Sequence, residues 1–207
     1  MGLKTNRPPL RQRQIAATRE EILDVAMRML STGVQDSFSH ESIAKAAGMG
    51  ARTVYRHFPD RAELLQALWL RLRESTNIKF PEREEDIVSF VRSIFHSFDE
   101  HESVVRAVLS SAAGFEVRER GGVEGRRAFA QSVSGLLSGL GTTERARIIA
   151  VFVAIYSAPF WQLLRDRGGL TGSEAQEAAA WLIEVLLDAL QKNKKRNMYE
   201  RTTQKKR

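Results

Sequence analysis

The sequence predicts an all-α protein, a three-helix helix-turn-helix head joined to a larger helical body. Three observations predict it. Apolar residues recur three and four positions apart through most of the chain, which is the period of a helix. Glycines punctuate these stretches. Residues 39–65 read as two short helices about a glycine turn, the second rich in arginine, threonine and tyrosine.

The elements follow in order. Residues 1–17 form a basic arm with Lys4, Arg7, Arg11 and Arg13, no acidic residue and the pair Pro8-Pro9, expected to be disordered at its start. Such an arm can lie along phosphates or simply solubilise the chain. Thr18-Arg19-Glu20-Glu21 reads as a capping box opening a helix with Ile22, Ala26, Met29 and Leu30 on its apolar stripe, and Gly33 as its stop. Ser39 is a suitable N-cap for the next helix, with Glu41 in its first turn and Ile43 and Ala47 on one side. Gly48 can take the left-handed conformation that ends it. A short helix from Ala51 then carries Val54 and Phe58 on one face. Asp60 and Glu63 cap a fourth helix with Leu64, Leu65, Leu68, Trp69 and Leu72, which breaks at Phe80-Pro81. These features set the head and its connecting helix at 18–76.

The body, 82–192, reads as helix after helix. One carries Ile87, Phe90, Val91, Ile94 and Phe98, and a shorter one Val104, Val105, Val108 and Leu109. Gly114 and Gly121-Gly122 are expected to separate the next, marked by Phe129, Val133, Leu136 and Leu137. Gly139-Leu140-Gly141 is a turn. Residues 148–161 are apolar on every side, predicting one helix buried all round and kinked at Pro159. The last helix is expected over 173–192, with Leu182, Val185, Leu186, Ala189 and Leu190 facing the core. Trp181 would then stand outside, beside Ala178 and Ala180, suggesting a surface for a second chain. Residues 193–207 read as a basic, solvated tail, with contact to nucleic-acid phosphates as the other reading.

Charge sharpens the division. The net charge of +7 is the sum of +4 over 1–76, −4 over 77–190 and +7 over 191–207. A basic head on an acidic body fits a polyanion partner for the head alone. There is no cysteine, so disulfides and thiolate metal sites are excluded. No apolar run reaches the ~20 residues of a membrane span, and the opening residues lack a signal-peptide core. A cytoplasmic protein is expected.

Residues 39–65 resemble the DNA-binding domain of the tetracycline-repressor (TetR) family of bacterial transcriptional regulators. The resemblance rests on Ile43-Ala44, Ala47-Gly48, Thr53-Val54-Tyr55, His57-Phe58, Asp60 and Leu64-Leu65, within a matching stretch of roughly Thr18 to Leu68. Gly50, Arg61 and Ser39 depart from the family's usual Ser, Lys and Thr. The resemblance implies a sequence-specific repressor, a homodimer formed by the last two long helices, a near-palindromic double-stranded operator, and a small apolar ligand that releases it.

Side-chain chemistry assigns roles within this frame. Arg52 and Arg56 carry the fork that suits guanine in a major groove, or a phosphate. Thr53 and Tyr55 offer hydroxyls to phosphate, positions the family uses with Ala51 for DNA. His57 and Arg61 match its phosphate-contacting positions, and Ser42 and Lys45 face backbone or groove edge. Packing alone is the other reading of Tyr55 and His57. For the body, the resemblance implies a ligand pocket among Phe90, Phe98, Phe129, Phe152, Tyr156, Phe160 and Gln162; by themselves these residues read as ordinary core. No cofactor is expected. His96, Glu100 and His101 lack a metal-site signature, and no phosphate loop or nucleophile elbow is present, so no enzyme is expected. Two alternatives stay open: a DNA-binding protein without an inducer, architectural or partner-controlled, and a helical enzyme with a basic head.

Overall fold

The structure, a computed structural model, describes residues 9–32 and 38–204. Among them it is all helical. The head comprises α1 (Leu10–Ser31), α2 (His40–Ala46) and α3 (Ala51–His57), and α4 (Arg61–Ser75) connects it to the body. The body comprises α5 (Ile87–Glu100), α6 (Glu102–Ser110), α7 (Ala112–Ser132), α8 (Thr142–Ile155), α9 (Ala158–Asp166) and α10 (Gly172–Gln204).

The first helix starts earlier than the capping box suggested. Pro9 occupies the N-cap position of α1 and the helix runs unbroken from Leu10. The Thr18 hydroxyl is therefore mid-helix, donating to Gln14 O at 3.0 Å instead of capping. The part of the arm from Leu10 to Ala17 is helical and exposed; Lys4, Arg7 and Pro8 lie outside the described residues, as does the expected stop at Gly33. Ile22, Ala26 and Leu30 of α1 are buried in one core with Ile43, Val54, Phe58, Leu64 and Leu68.

The turn and caps of the head form as the sequence implies. Ser39 and Ser42 make a reciprocal capping box on α2. Gly48 sits at φ +65°, where a side chain would be strained. Asp60 Oδ1 accepts from Glu63 N at 2.8 Å and starts α4. Four hydrogen-bonded carboxylate–guanidinium pairs tie α4 to its neighbours: Arg71 joins Glu20 and Asp24 on α1, Arg73 joins Glu124, and Arg61 joins Glu116, the last two carboxylates both on α7. α1 also packs on α6, so head and body meet through α1 and α4.

In the body, the glycines expected to interrupt the chain lie inside α7. A Cβ on Gly121 would overlap the Trp69 ring, and one on Gly125 would press on Phe80. These glycines admit aromatic rings against the helix axis; they do not end it. Phe129 belongs to this same helix, and Val133, Leu136 and Leu137 follow in a buried turn.

Residues 148–161 are likewise two helices. α8 ends at Ile155 and α9 begins at Ala158, bent by 57° at the break. Ser157 caps α9 by accepting from Phe160 N, and Pro159 falls in its first turn, where no helical hydrogen bond is lost. The segment is not buried all round either, since Val151 is 44% exposed. Among the described residues no single helix is long and apolar enough to cross a membrane.

α10 runs through the expected tail as far as Gln204. Its core face is Ala175, Ala179, Ala180, Ile183, Leu187 and Leu190, packed along α5. Of the expected core face only Leu190 is buried. Val185 and Ala189 are exposed, and Leu182 and Leu186 half-buried. Trp181, 64% exposed, stands on the same outward side.

Candidate nucleic-acid interface

The two short helices of the head are fixed to each other by a polar contact on their outer side. The Tyr55 ring on α3 lies flat on His40 of α2, with centroids 4.4 Å apart and planes 2° apart. Its hydroxyl donates to Glu41 Oε1 at 2.8 Å. That bond holds the Glu41 carboxyl below its usual range and pushes the Tyr55 phenol up. His40, 6% exposed, engages Phe58 O through Nε2 at 2.9 Å and so joins the start of α2 to the end of α3. These contacts tie α2 to α3 with no ligand present.

The expected contact residues divide into two groups. Lys45, Arg52 and Arg56 are exposed and form no ion pair with a described residue, leaving their charge to the solvent side. Arg52 and Arg56, one turn apart on α3, project from a common side. Ala51 and Thr53 are half-buried on the same helix.

The others are already engaged. Ser42 spends its hydroxyl in the cap, accepting from Ser39 N at 2.9 Å and donating to Ser39 O at 3.0 Å. Tyr55 spends its one proton on Glu41. His57 turns Nε2 into the protein, where that atom is buried without a hydrogen-bond partner. Burial, followed by the nearby charges of Arg56 and Arg19, depresses its imidazole and keeps it neutral. Arg61 departs furthest from its expected phosphate role. Its guanidinium makes two bonds of 2.8 Å to Glu116 and one of 2.7 Å to Phe38 O, at the junction of head and body. A partner 55 residues away leaves no local sequence signal.

Beside α4, the body forms a largely apolar, partly open cavity of about 410 Å³. Trp69 and Leu72 of α4 form its roof. Phe98 of α5, Val105 and Val108 of α6, Gly121, Gly125 and Phe129 of α7, and Val153 of α8 form its walls. α4 and α7 thus each touch both the cavity and the Arg61–Glu116 pair.

Of the ligand residues expected from the sequence, Phe98, Phe129 and Tyr156 line this space. Tyr156 donates its hydroxyl to Lys79 O, and burial pushes its phenol well up, so it stays protonated. Phe152 is wholly buried and stacks on Phe129 at 5.7 Å, behind the wall. Phe90, Phe160 and Gln162 lie away from the cavity, on α5 and α9. Three lining side chains that sequence reasoning passed over are Trp69, Phe80 and Arg118. Trp69 sits in the apolar stripe of α4, which by pattern alone could as well have faced the head.

Among the described residues no group of three His, Asp or Glu side chains could hold a metal ion.

Comparison with known proteins agrees with this geometry. Residues 22–68 match the model of the bacterial regulatory proteins, tetR family. The chain is 44% identical over 52 residues to the HTH-type transcriptional regulator AcrR of Shigella flexneri, spanning 25% of this chain and 24% of that protein. It is 40% identical over 60 residues to the HTH-type transcriptional repressor LfrR of Mycolicibacterium smegmatis, spanning 29% of this chain and 31% of that one. The matched region thus spans under a third of these curated relatives. A tetR-family transcriptional regulator from Streptomyces coelicolor shares the fold with a TM-score of 0.53 and 18% identity, over 83% of this chain and 81% of that one.

Proposed function

We propose that the chain is a sequence-specific transcriptional repressor released by a small apolar ligand, a reading supported by the match of residues 22–68 to the tetR family of bacterial regulatory proteins. The observation that carries the reading is the trio Lys45, Arg52 and Arg56, exposed and unpaired with any described carboxylate on a pre-locked helix-turn-helix. Free guanidinium groups at one side of α3 suit base edges in a major groove, with Lys45 on the flanking phosphates.

The repressor acts as a homodimer. Trp181, Val185 and Ala189 of α10 form an exposed apolar stripe, and Val151 of neighbouring α8 is exposed as well. Two copies pairing these helices as a four-helix interface bury the stripe, on the order of 2,000 Å² for an obligate contact. The two-fold axis then presents two α3 helices to two half-sites. A ligand in the cavity acts on the head through α4, whose Trp69 and Leu72 line the cavity while its first turn carries Arg61.

Selection of fragments of the source genome on the immobilised full-length chain tests the reading. A recovered near-palindromic motif supports it; recovery of fragments with no shared motif overturns it.

A further inference from the structure

Resting on the proposed ligand-released repressor, the chemistry of the cavity narrows what that ligand is. The hydroxyl side chains lining it are already satisfied within the protein. Thr76 donates to Leu72 O at 2.6 Å, Tyr156 to Lys79 O, and Ser157 to Ala154 O at 2.6 Å. They offer a ligand little.

Arg118 is different. It lines the cavity from α7 and is partly withdrawn from solvent, with the Phe115 ring 5.9 Å from its guanidinium. One N–H donates to Val108 O, and its remaining donors have no acceptor among the described residues. No described carboxylate forms an ion pair with it. Glu119, the next residue on the helix, also lines the cavity and acts on Arg118 through its charge, but it is exposed and forms no ion pair with it. Burial lowers the guanidinium from its ordinary value, with the Glu119 charge opposing it, and an arginine stays charged. A half-buried cation with no ion pair of its own is poorly compensated, and an anion brought to it recovers part of that cost. Arg126, exposed at the cavity margin, adds a second positive charge on the same helix.

We propose that the cavity takes an amphipathic carboxylate, its anionic head on the Arg118 guanidinium and its apolar body among Trp69, Phe98 and Phe129. A carboxylate can take two parallel N–H bonds from the fork, a geometry no neutral or cationic head reproduces. A cationic ligand would have to sit against a half-buried guanidinium.

Calorimetric titration of the full-length protein, without DNA, tests this with two matched sets: 2-naphthoate, 2-naphthamide and 2-naphthylmethylammonium; and decanoate, decanol and decylammonium. In at least one set the carboxylate is expected to bind tenfold or more tightly than its neutral and cationic counterparts. Arg118→Gln should erase that preference, while Arg118→Lys, which keeps the charge, should retain most of it in a protein of unchanged thermal stability. Absence of that tenfold preference in both sets, including no binding of either carboxylate, or a preference that survives Arg118→Gln, would overturn the proposal. Operator binding, measured separately on the same preparation, fails or holds independently of these results.

Discussion

Arg61, in the first turn of α4, grips both carboxylate oxygens of Glu116 on α7 through Nε and Nη2, each at 2.8 Å. The bond spans the junction of head and body. Arg61 holds the Glu116 carboxyl below its usual range, so the pair is fully ionised at neutral pH. Both side chains are 41% exposed, so solvent screening leaves the pair little weight in overall stability. Its consequence is positional: while the pair holds, this cation is withheld from DNA.

Glu116→Gln should free Arg61 for one further phosphate. The expected result is tighter operator binding, with the slope of log K against log salt steeper by about 0.9. Arg61→Ala should abolish the gain in the double variant. Anisotropy titrations over a salt series check this, and an unchanged slope in Glu116→Gln would mean that the pair does not compete with DNA.

Arg52→Ala should cost ~1–3 kcal/mol at one position of each half-site and relax the preference there. Tyr55→Phe removes the Glu41 bond and leaves the His40 stack, so it should weaken all sequences alike by loosening α2 against α3. Binding of each variant to single-base operator variants separates the two. A common specificity profile would contradict the division.

Much of the head is legible in the sequence because its signals are local. Ser39, Gly48 and Asp60 act within four residues of themselves, so caps and turn can be read without tertiary knowledge. The body hides its register for the opposite reason. The core face of α10 is alanine-rich because α5 lies close along it, and the bulkier Leu182, Val185 and Leu186 were left on or towards the outside. Counting large apolar residues therefore selects the wrong face. The glycines of α7 mislead in the same way, since Gly121 answers to Trp69, 52 positions earlier. Of the expected DNA contacts, the exposed arginines follow from chemistry alone, whereas the engagement of Arg61 and the inward turn of His57 depend on partners that only the fold supplies.

Trp181→Asp should give monomers. Placing a carboxylate in the proposed apolar interface leaves it buried without a partner, a strongly unfavourable change. Because Trp181 is outside the core of its own chain, the monomer should remain folded. Sedimentation velocity and circular dichroism check both points, and a variant that stays dimeric with unchanged operator affinity would move the interface elsewhere.

Acid should loosen the head through His57. Its imidazole lies below its ordinary value of 6.5 in the folded protein, so between that value and its lower folded one the unfolded chain binds more protons. Its contribution is fully present above 6.5 and is lost as pH falls through the folded value. Glu41 and Glu116, both lowered from 4.5, act only in a more acid range. Denaturant midpoints from pH 7.5 to 5 should fall for the native chain and fall less for His57→Gln; equal slopes would remove His57 from the account.

The central claim is that this chain grips an operator as a dimer, with free cations on α2 and α3 of each copy. Its most direct measurement is the affinity for a selected near-palindrome, and for one half-site alone, across a series of salt concentrations. The account predicts a steep linear fall of log K with log salt, a slope of about −0.9 per phosphate neutralised, and a large loss of affinity for the half-site. A flat salt dependence, or equal affinity for half-site and full site, would contradict it.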